Sequence, residues 1–363
     1  MWIYSCSNMS LRSNDQKSAD LGEGSGGGLQ RLRSLRVLDV SYCPEFLSSY
    51  SSSSAFPFPT CLQHITLSGA VYMETLQPLS NLSSLTECQL LFELRGLDGL
   101  WSLLSHGRLT KLAIDSHYVY GSRFFSAWDP SILTPFSTNP LYVWTGSDTG
   151  FLAAPICSLL SSTLTQLYLN LDQEMERFTK EQEEALQLLT SLQELQFSAF
   201  RNEGRYHSKL QCLPTGLDQL INLKRLMISR CSSIRSLPSL PSSLQELVIY
   251  HCHATQSLPE SLPSSLKILK ISGCRAIKSL PESLPSSLKE LKINSCDAIK
   301  SLPDSLPSSL KKLKIDSCYA IKSLPRDGLP SSMLELDVSI NGNSEELRRE
   351  CRKLKGTIPI VKA

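Results

Sequence analysis

Between Ser257 and Lys322 one order of apolar and polar positions is written three times, as SLPESLPSSLKILKISGCRAIK, SLPESLPSSLKELKINSCDAIK and SLPDSLPSSLKKLKIDSCYAIK, each 22 residues long. Leu266, Leu269, Ile271 and Cys274 recur as Leu288, Leu291, Ile293 and Cys296, then as Leu310, Leu313, Ile315 and Cys318. The alternation Leu-x-Ile predicts a short strand with one buried face. The pattern extends upstream through Leu244/Leu247/Ile249/Cys252 and Leu223/Leu226/Ile228/Cys231. Weaker copies stand at Leu192/Leu195/Phe197, Leu164/Leu167/Leu169, Leu109/Leu112/Ile114, Leu85/Cys88/Leu90, Leu62/Ile65/Leu67 and Leu35/Leu38/Val40/Cys43, and Met333/Leu336/Val338/Asn341 closes the series. The last five spacings are 21, 22, 22, 22 and 23 residues, too regular for chance. One interval of 55 residues, from Leu109 to Leu164, is expected to hold a degenerate copy near Phe136–Val143 and a loop.

L-x-x-L-x-L-x-x-N/C is the frame of the leucine-rich repeat. The expected fold is an α/β leucine-rich-repeat solenoid, a horseshoe with a parallel concave sheet and a mostly irregular or 3₁₀ convex side carrying a few helices. No repeat buries its apolar side alone, so neighbours must supply each other's core. Pro259, Pro281 and Pro303 deny helix to the return arms of the 22-residue repeats. Thr179 and Gln182 stand at capping-box spacing before Ala185, Leu186 and Leu189, which predicts a helix in that longer repeat. Asn343–Leu354 reads as a second helix, with Leu347, Cys351 and Leu354 inward, followed by an edge segment over Ile358–Val361. The expected organisation is a disordered segment over 1–28, a solenoid of 12–13 repeats over 29–341, and a cap over 342–363. Ser48–Ser54 reads as a Ser-rich loop.

Composition sharpens this picture in few places. Leu (64) and Ser (59) make up a third of the 363 residues, as repeats demand. No apolar run approaches the ~18 residues of a membrane span. The start MWIYSCSNMS lacks a basic segment followed by an apolar core, so no secretory leader is read and a cytoplasmic or nuclear location is expected. In that compartment the repeated Cys is expected as a reduced thiol packed in the core, although strands ~4.8 Å apart bring like positions near bridging distance. The sequons at Asn8 and Asn81 are then void.

The search for chemistry finds no catalytic residue. Gly22-x-Gly24-x-x-Gly27 matches a dinucleotide fingerprint in form, but no strand precedes it and a polar linker surrounds it. His251-Cys252-His253 could suggest a metal site, yet Cys252 is the frame Cys of its repeat and no fourth ligand is indicated. No cofactor or metal is therefore expected, and the chain is read as a non-enzyme. A surface remains. Lys270, Lys292 and Lys314 fall in one column, and Lys267, Lys289 and Lys311 in another; all six are expected to project from the concave face into solvent and to meet an acidic protein partner. Residues 1–222 carry 14 basic and 21 acidic side chains and residues 223–363 carry 22 and 13, so the halves are −7 and +9. A duplicated, merely solvated Lys is the plainer explanation of these columns. Nucleic acid is disfavoured because the columns contain no aromatic residue.

FTKEQEEALQLLTSLQELQF (Phe178–Phe197), LQCLPTGLDQLINLKRLMISRC (Leu210–Cys231), the LPSSLxELxIxxCxAIKSLP repeats and CRKLKGTIPIVKA (Cys351–Ala363) resemble the C-terminal leucine-rich-repeat region of plant intracellular nucleotide-binding immune receptors, the coiled-coil class of grasses in particular. The resemblance implies a non-catalytic domain that senses pathogen effectors or guarded host proteins and restrains a nucleotide-binding module. It carries over no effector-contact residue, and the P-loop of that module is absent from these residues. Leu-Pro-rich repeats also resemble those of bacterial effector ubiquitin ligases, which carry Asn rather than Cys in the ladder. A plant F-box adaptor is the other alternative, though no F-box-like segment precedes the repeats.

Overall fold

The computed structural model describes residues 1–6, 28–43, 45–47, 58–69, 79, 81–91, 103–104, 108–115, 140–145, 151–172, 174–199, 208–338 and 342–363. The chain divides into two compact units, Met1–Asn170 and Leu171–Ala363. In the first, seven strands pair in parallel and in chain order: β1 (Trp2–Tyr4), β2 (Val37–Ser41), β3 (His64–Ser68), β4 (Glu87–Leu91), β5 (Lys111–Asp115), β6 (Leu141–Thr145) and β7 (Leu164–Leu171). In the second, eight strands run β8 (Glu194–Ala199), β9 (Arg225–Ser229), β10 (Glu246–Tyr250), β11 (Ile268–Ser272), β12 (Glu290–Asn294), β13 (Lys312–Asp316), β14 (Glu335–Asp337) and β15 (Ile360–Lys362), again parallel neighbours in order.

Each frame read in the sequence lands on a strand, and its apolar residues form the core, with Leu35 and Ile114 only half-buried. Leu266, Leu269 and Ile271 are fully buried, as are their counterparts Leu288, Leu291 and Ile293. Register keeps like with like: Leu269 pairs with Leu291 and Leu291 with Leu313, so each buried column continues from one repeat to the next. The 55-residue interval does hold a further strand, β6, with Leu141 and Val143 buried. It also holds a short helix that the sequence pattern did not reveal, α1 (Ala154–Leu160). The architecture is a leucine-rich-repeat solenoid. Asn341, the Ser48–Ser54 loop and the Gly22–Gly27 tract lie outside the described residues.

Helices form where capping favours them. α2 (Lys180–Gln187) starts at Thr179, whose Oγ1 accepts the Gln182 amide at 3.2 Å while Gln182 Oε1 accepts the Thr179 amide at 2.9 Å. α3 (Glu345–Lys353) is capped by Ser344 and buries Leu347 and Cys351, with Leu354 only half-buried. Between the strands of residues 251–331 the chain makes turns and no helix, as the Leu-Pro pairs require.

The disordered reading of residues 1–28 fails at its start. Met1, Ile3 and Cys6 reproduce the second half of the repeat frame, and β1 pairs with β2 through Trp2–Asp39, Ile3–Val40 and Tyr4–Ser41. Cys6 Sγ donates to the carbonyl two residues back, as Cys43 does. Half a frame, without its leading Leu-x-x, gave periodicity too little to register. Residues 7–27 are outside the described set.

The paired Ser of the later repeats have distinct places. The second Ser of each Pro-Ser-Ser-Leu, and of Pro-Ser-Ser-Met at 330–333, donates Oγ to the frame-Leu carbonyl of the previous repeat: Ser243 to Leu223 at 2.8 Å, Ser265 to Leu244 at 2.6 Å, Ser287 to Leu266 at 2.6 Å, Ser309 to Leu288 at 2.7 Å and Ser332 to Leu310 at 2.7 Å. The first Ser of each pair is exposed. We therefore expect Ser287→Ala to cost about 1–3 kcal/mol, because a part-buried carbonyl loses its donor. Ser286→Ala should stay within about ±0.5 kcal/mol. Paired denaturant melts check this; equal losses would mean that the ladder contributes nothing.

Candidate protein-interaction surface

The strands end in a shared turn. Arg230, His251, Gly273, Ser295 and Ser317 all take positive φ, between 49° and 67°, immediately before the frame Cys. Each of the first four donates its amide to the next repeat's last strand carbonyl, as His251 does to Ser272 at 2.7 Å. The Cys that follows is sealed in. Cys231, Cys252, Cys274, Cys296 and Cys318 are fully buried, and each thiol points at the carbonyl two residues back, at 3.2–3.6 Å. Burial pushes the thiols of Cys231, Cys274, Cys296 and Cys318 up to about 12. The thiolate is the nucleophile, so these residues should resist alkylation at pH 8 while the protein is folded. Cys6, Cys61 and Cys212, only half-buried, should react first. After denaturation without reductant all twelve Cys should label, as mass spectrometry can read. A Cys274–Cys296 linkage would overturn the reduced-ladder reading.

The sheet face that points away from the core carries side chains at alternate strand positions. In the second unit, Lys270, Lys292 and Lys314 do form one column in register. Their surroundings differ from the expectation. Lys270 Nζ lies 2.9 Å from Glu246, which also takes Arg225 at 3.5 Å, and Lys314 Nζ lies 3.2 Å from Asp337. Lys362 and Lys312 both reach Glu335, at 3.0 and 3.6 Å, and the Lys362 hydrogen bond above all holds its carboxyl below its ordinary value. Lys292, on β12, has no carboxylate within 4 Å among the described residues. Over β9–β14 this face carries Arg225, Lys270, Lys292, Lys312 and Lys314 against Glu246, Glu290, Asp316, Glu335 and Asp337, an even balance. A purely basic face is not what these repeats build.

Lys267, Lys289 and Lys311 are aligned too, since the Lys289 amide donates to the Lys267 carbonyl and the Lys311 amide to that of Lys289. They precede the strands, so they line the rim of the sheet where strands begin and do not share the face of Lys270. All three are exposed. Lys267 Nζ donates to Gln245 at 2.9 Å, and Lys224 on the same rim donates to Gln193 at 3.0 Å. Lys224, Lys267, Lys289 and Lys311 thus make this rim basic, while Lys278, Lys300 and Lys322 are exposed elsewhere, after the turns.

Sequence reasoning missed a second feature, in the first unit. Tyr142 and Trp144 on β6 and Tyr168 on β7 share the outward face, with the Tyr rings 5.0 Å apart and Lys111 Nζ 6.0 Å from the Tyr142 centroid. Trp and Tyr supply much of the energy in protein interfaces. The alternation in LYVWT and LTQLYLNL was the available signal.

No family model and no curated protein matches the chain. Solved structures similar to it are leucine-rich-repeat proteins. The leucine-rich-repeat domain of the type III effector XopL is 21% identical, with 51% of this chain and 72% of that one covered and a TM-score of 0.31. A leucine-rich-repeat protein of Leptospira interrogans is 18% identical over 91% of each chain, with a TM-score of 0.33. A circular leucine-rich-repeat protein, CroV588, is 16% identical over 87% of this chain and 52% of that one, with a TM-score of 0.40. Among the described residues no helix is long and apolar enough to cross a membrane, and no group of three or more His, Cys, Asp or Glu could hold a metal ion.

Proposed function

We propose that this solenoid is the recognition domain of a plant innate-immune receptor of the nucleotide-binding class. Its role is to bind a pathogen effector or guarded host protein and to restrain a nucleotide-binding module. The observation that carries the reading is the LPSSLxELxIxxCxAIKSLP repeat, on which, with the segments Phe178–Phe197, Leu210–Cys231 and Cys351–Ala363, the resemblance to that receptor region rests. The sheet supports a protein partner: ion pairs hold its outward side chains in place, and the rim adds exposed Lys. Fixed, aligned side chains lose little freedom when a partner docks. The reading implies no catalysis, and places the protein in the cytoplasm or nucleus.

The test is the transcript upstream of Met1. A reading frame continuous with a nucleotide-binding module supports the receptor assignment. A frame that joins the repeats to a ubiquitin-ligase or F-box segment overturns it.

A further inference from the structure

The rim where the strands of the second unit begin carries a row of side chains with a fixed pitch and a single charge sign. It runs Gln193, Lys224, Gln245, Lys267, Lys289, Lys311 and Leu334, each amide from Lys224 onward donating to the carbonyl before it in the row at 2.8–2.9 Å. Four of these seven residues are Lys and none is acidic. The ladder sets their spacing at about 4.8 Å, the distance between paired strands. Lys224 and Lys267 rest on Gln193 and Gln245, whereas Lys289 and Lys311 have no carboxylate within 4 Å among the described residues. The row ends on Leu334, an apolar side chain left 46% exposed. A second row of bases, Arg235, Lys278, Lys300 and Lys322, lies after the turns, but there Glu346 stands 3.9 Å from Lys322 and closes the row with an acid.

We propose, on the reading of this rim as a protein-binding surface, that it docks an acidic α-helix of the partner. The helix lies along the row, with carboxylates over Lys267, Lys289 and Lys311 and an apolar side chain over Leu334. Pitch selects a helix. The two steps from Lys267 to Lys311 cover about 9.6 Å, and seven residues of an α-helix rise about 10.5 Å. Acids at i, i+3 or i+4, and i+7 share one helix face, so a single stripe meets the three Lys in turn. An extended chain places same-face side chains about 6.7 Å apart and overshoots the same two steps by about 4 Å. From Lys224 to Leu334 the row spans about 24 Å, the length of about 16 helical residues. The Lys charges steer the helix onto the row, and burial of Leu334 at one end sets its register.

The test titrates the full chain, at low salt, with synthetic peptides of about 18 residues and equal net charge. One is a stapled helix with its Glu residues in a single stripe that ends in Leu. A second stapled helix spreads the same Glu around all faces, and a third peptide keeps the stripe order but carries central Pro residues that prevent a helix. The striped helix should bind about tenfold more tightly than either of the others. Lys289→Gln combined with Lys311→Gln should weaken it about fivefold, whereas Lys278→Gln combined with Lys300→Gln, which removes equal charge from the row after the turns, should change it by less than about twofold. Leu334→Ser should weaken the striped helix about threefold and leave unchanged the same helix with its Leu replaced by Ser. Equal affinity for the Pro-broken peptide would overturn the helix while an acidic protein partner still stands. Equal effects of the two Lys pairs, or no saturable binding of the striped helix, would overturn the rim as its docking site. The receptor assignment is decided separately, by the upstream transcript.

Discussion

Leu291→Ala lowers the stability of the folded chain by about 2–5 kcal/mol, the range for opening a cavity in a packed core. Leu291 is fully buried on β12 and pairs on either side with Leu269 and Leu313, so its side chain fills a layer shared by three repeats. The collapse that relieves a cavity would have to shift two neighbouring repeats at once. Lys292→Ala, the next residue, should stay within about ±0.5 kcal/mol, because its side chain faces outward with no carboxylate partner. Denaturant melts of the two variants compare core with face directly. Comparable losses would mean that the alternation along β12 does not divide core from solvent.

That alternation is why so much of the fold was legible. A repeat frame of apolar positions is a statement about burial, and burial is what aligns parallel strands. The capping box at Thr179 was equally readable, since both of its bonds join residues three apart. What escaped depends on pairs one repeat or more apart. Lys270 and Glu246 are 24 residues apart yet 2.9 Å apart in space, and Lys314 meets Asp337 across the same kind of gap. A column of identical Lys in the sequence therefore reads as uncompensated charge, while the folded face is balanced by acids from neighbouring strands. The Lys267 rim was misplaced by a subtler error: counting outward positions from the exposed Lys ignores that the strand begins one residue later, at Ile268.

The ion pairs change what charge reversal does. Reversal of Lys270, Lys292 and Lys314 together, neutral for folding if all three stood in solvent, instead sets carboxylates beside Glu246 and Asp337. The side chain of Asp337 is only 8% exposed, so a second carboxylate there meets little water to screen it. Loss of binding in that variant would not separate recognition from unfolding. Lys289→Glu, Lys292→Glu and Lys311→Glu is the informative combination, because these three Lys have no acidic partner within 4 Å among the described residues. The triple variant should melt as the parent does. Each exposed charge contact is worth about 0.2–1 kcal/mol, and reversal replaces attraction with repulsion. If the partner is the nucleotide-binding module proposed above, affinity for it, titrated at low salt, should therefore fall about 10- to 100-fold. Most of the loss should appear in the association rate, and the salt dependence should flatten, since rim charges steer encounter more than they lock the complex. Unchanged affinity at both low and high salt would reduce the Lys rim to a duplicated solvated row. Recognition would then be sought at the Tyr142–Trp144–Tyr168 cluster, where Tyr142→Ala and Trp144→Ala become the decisive variants.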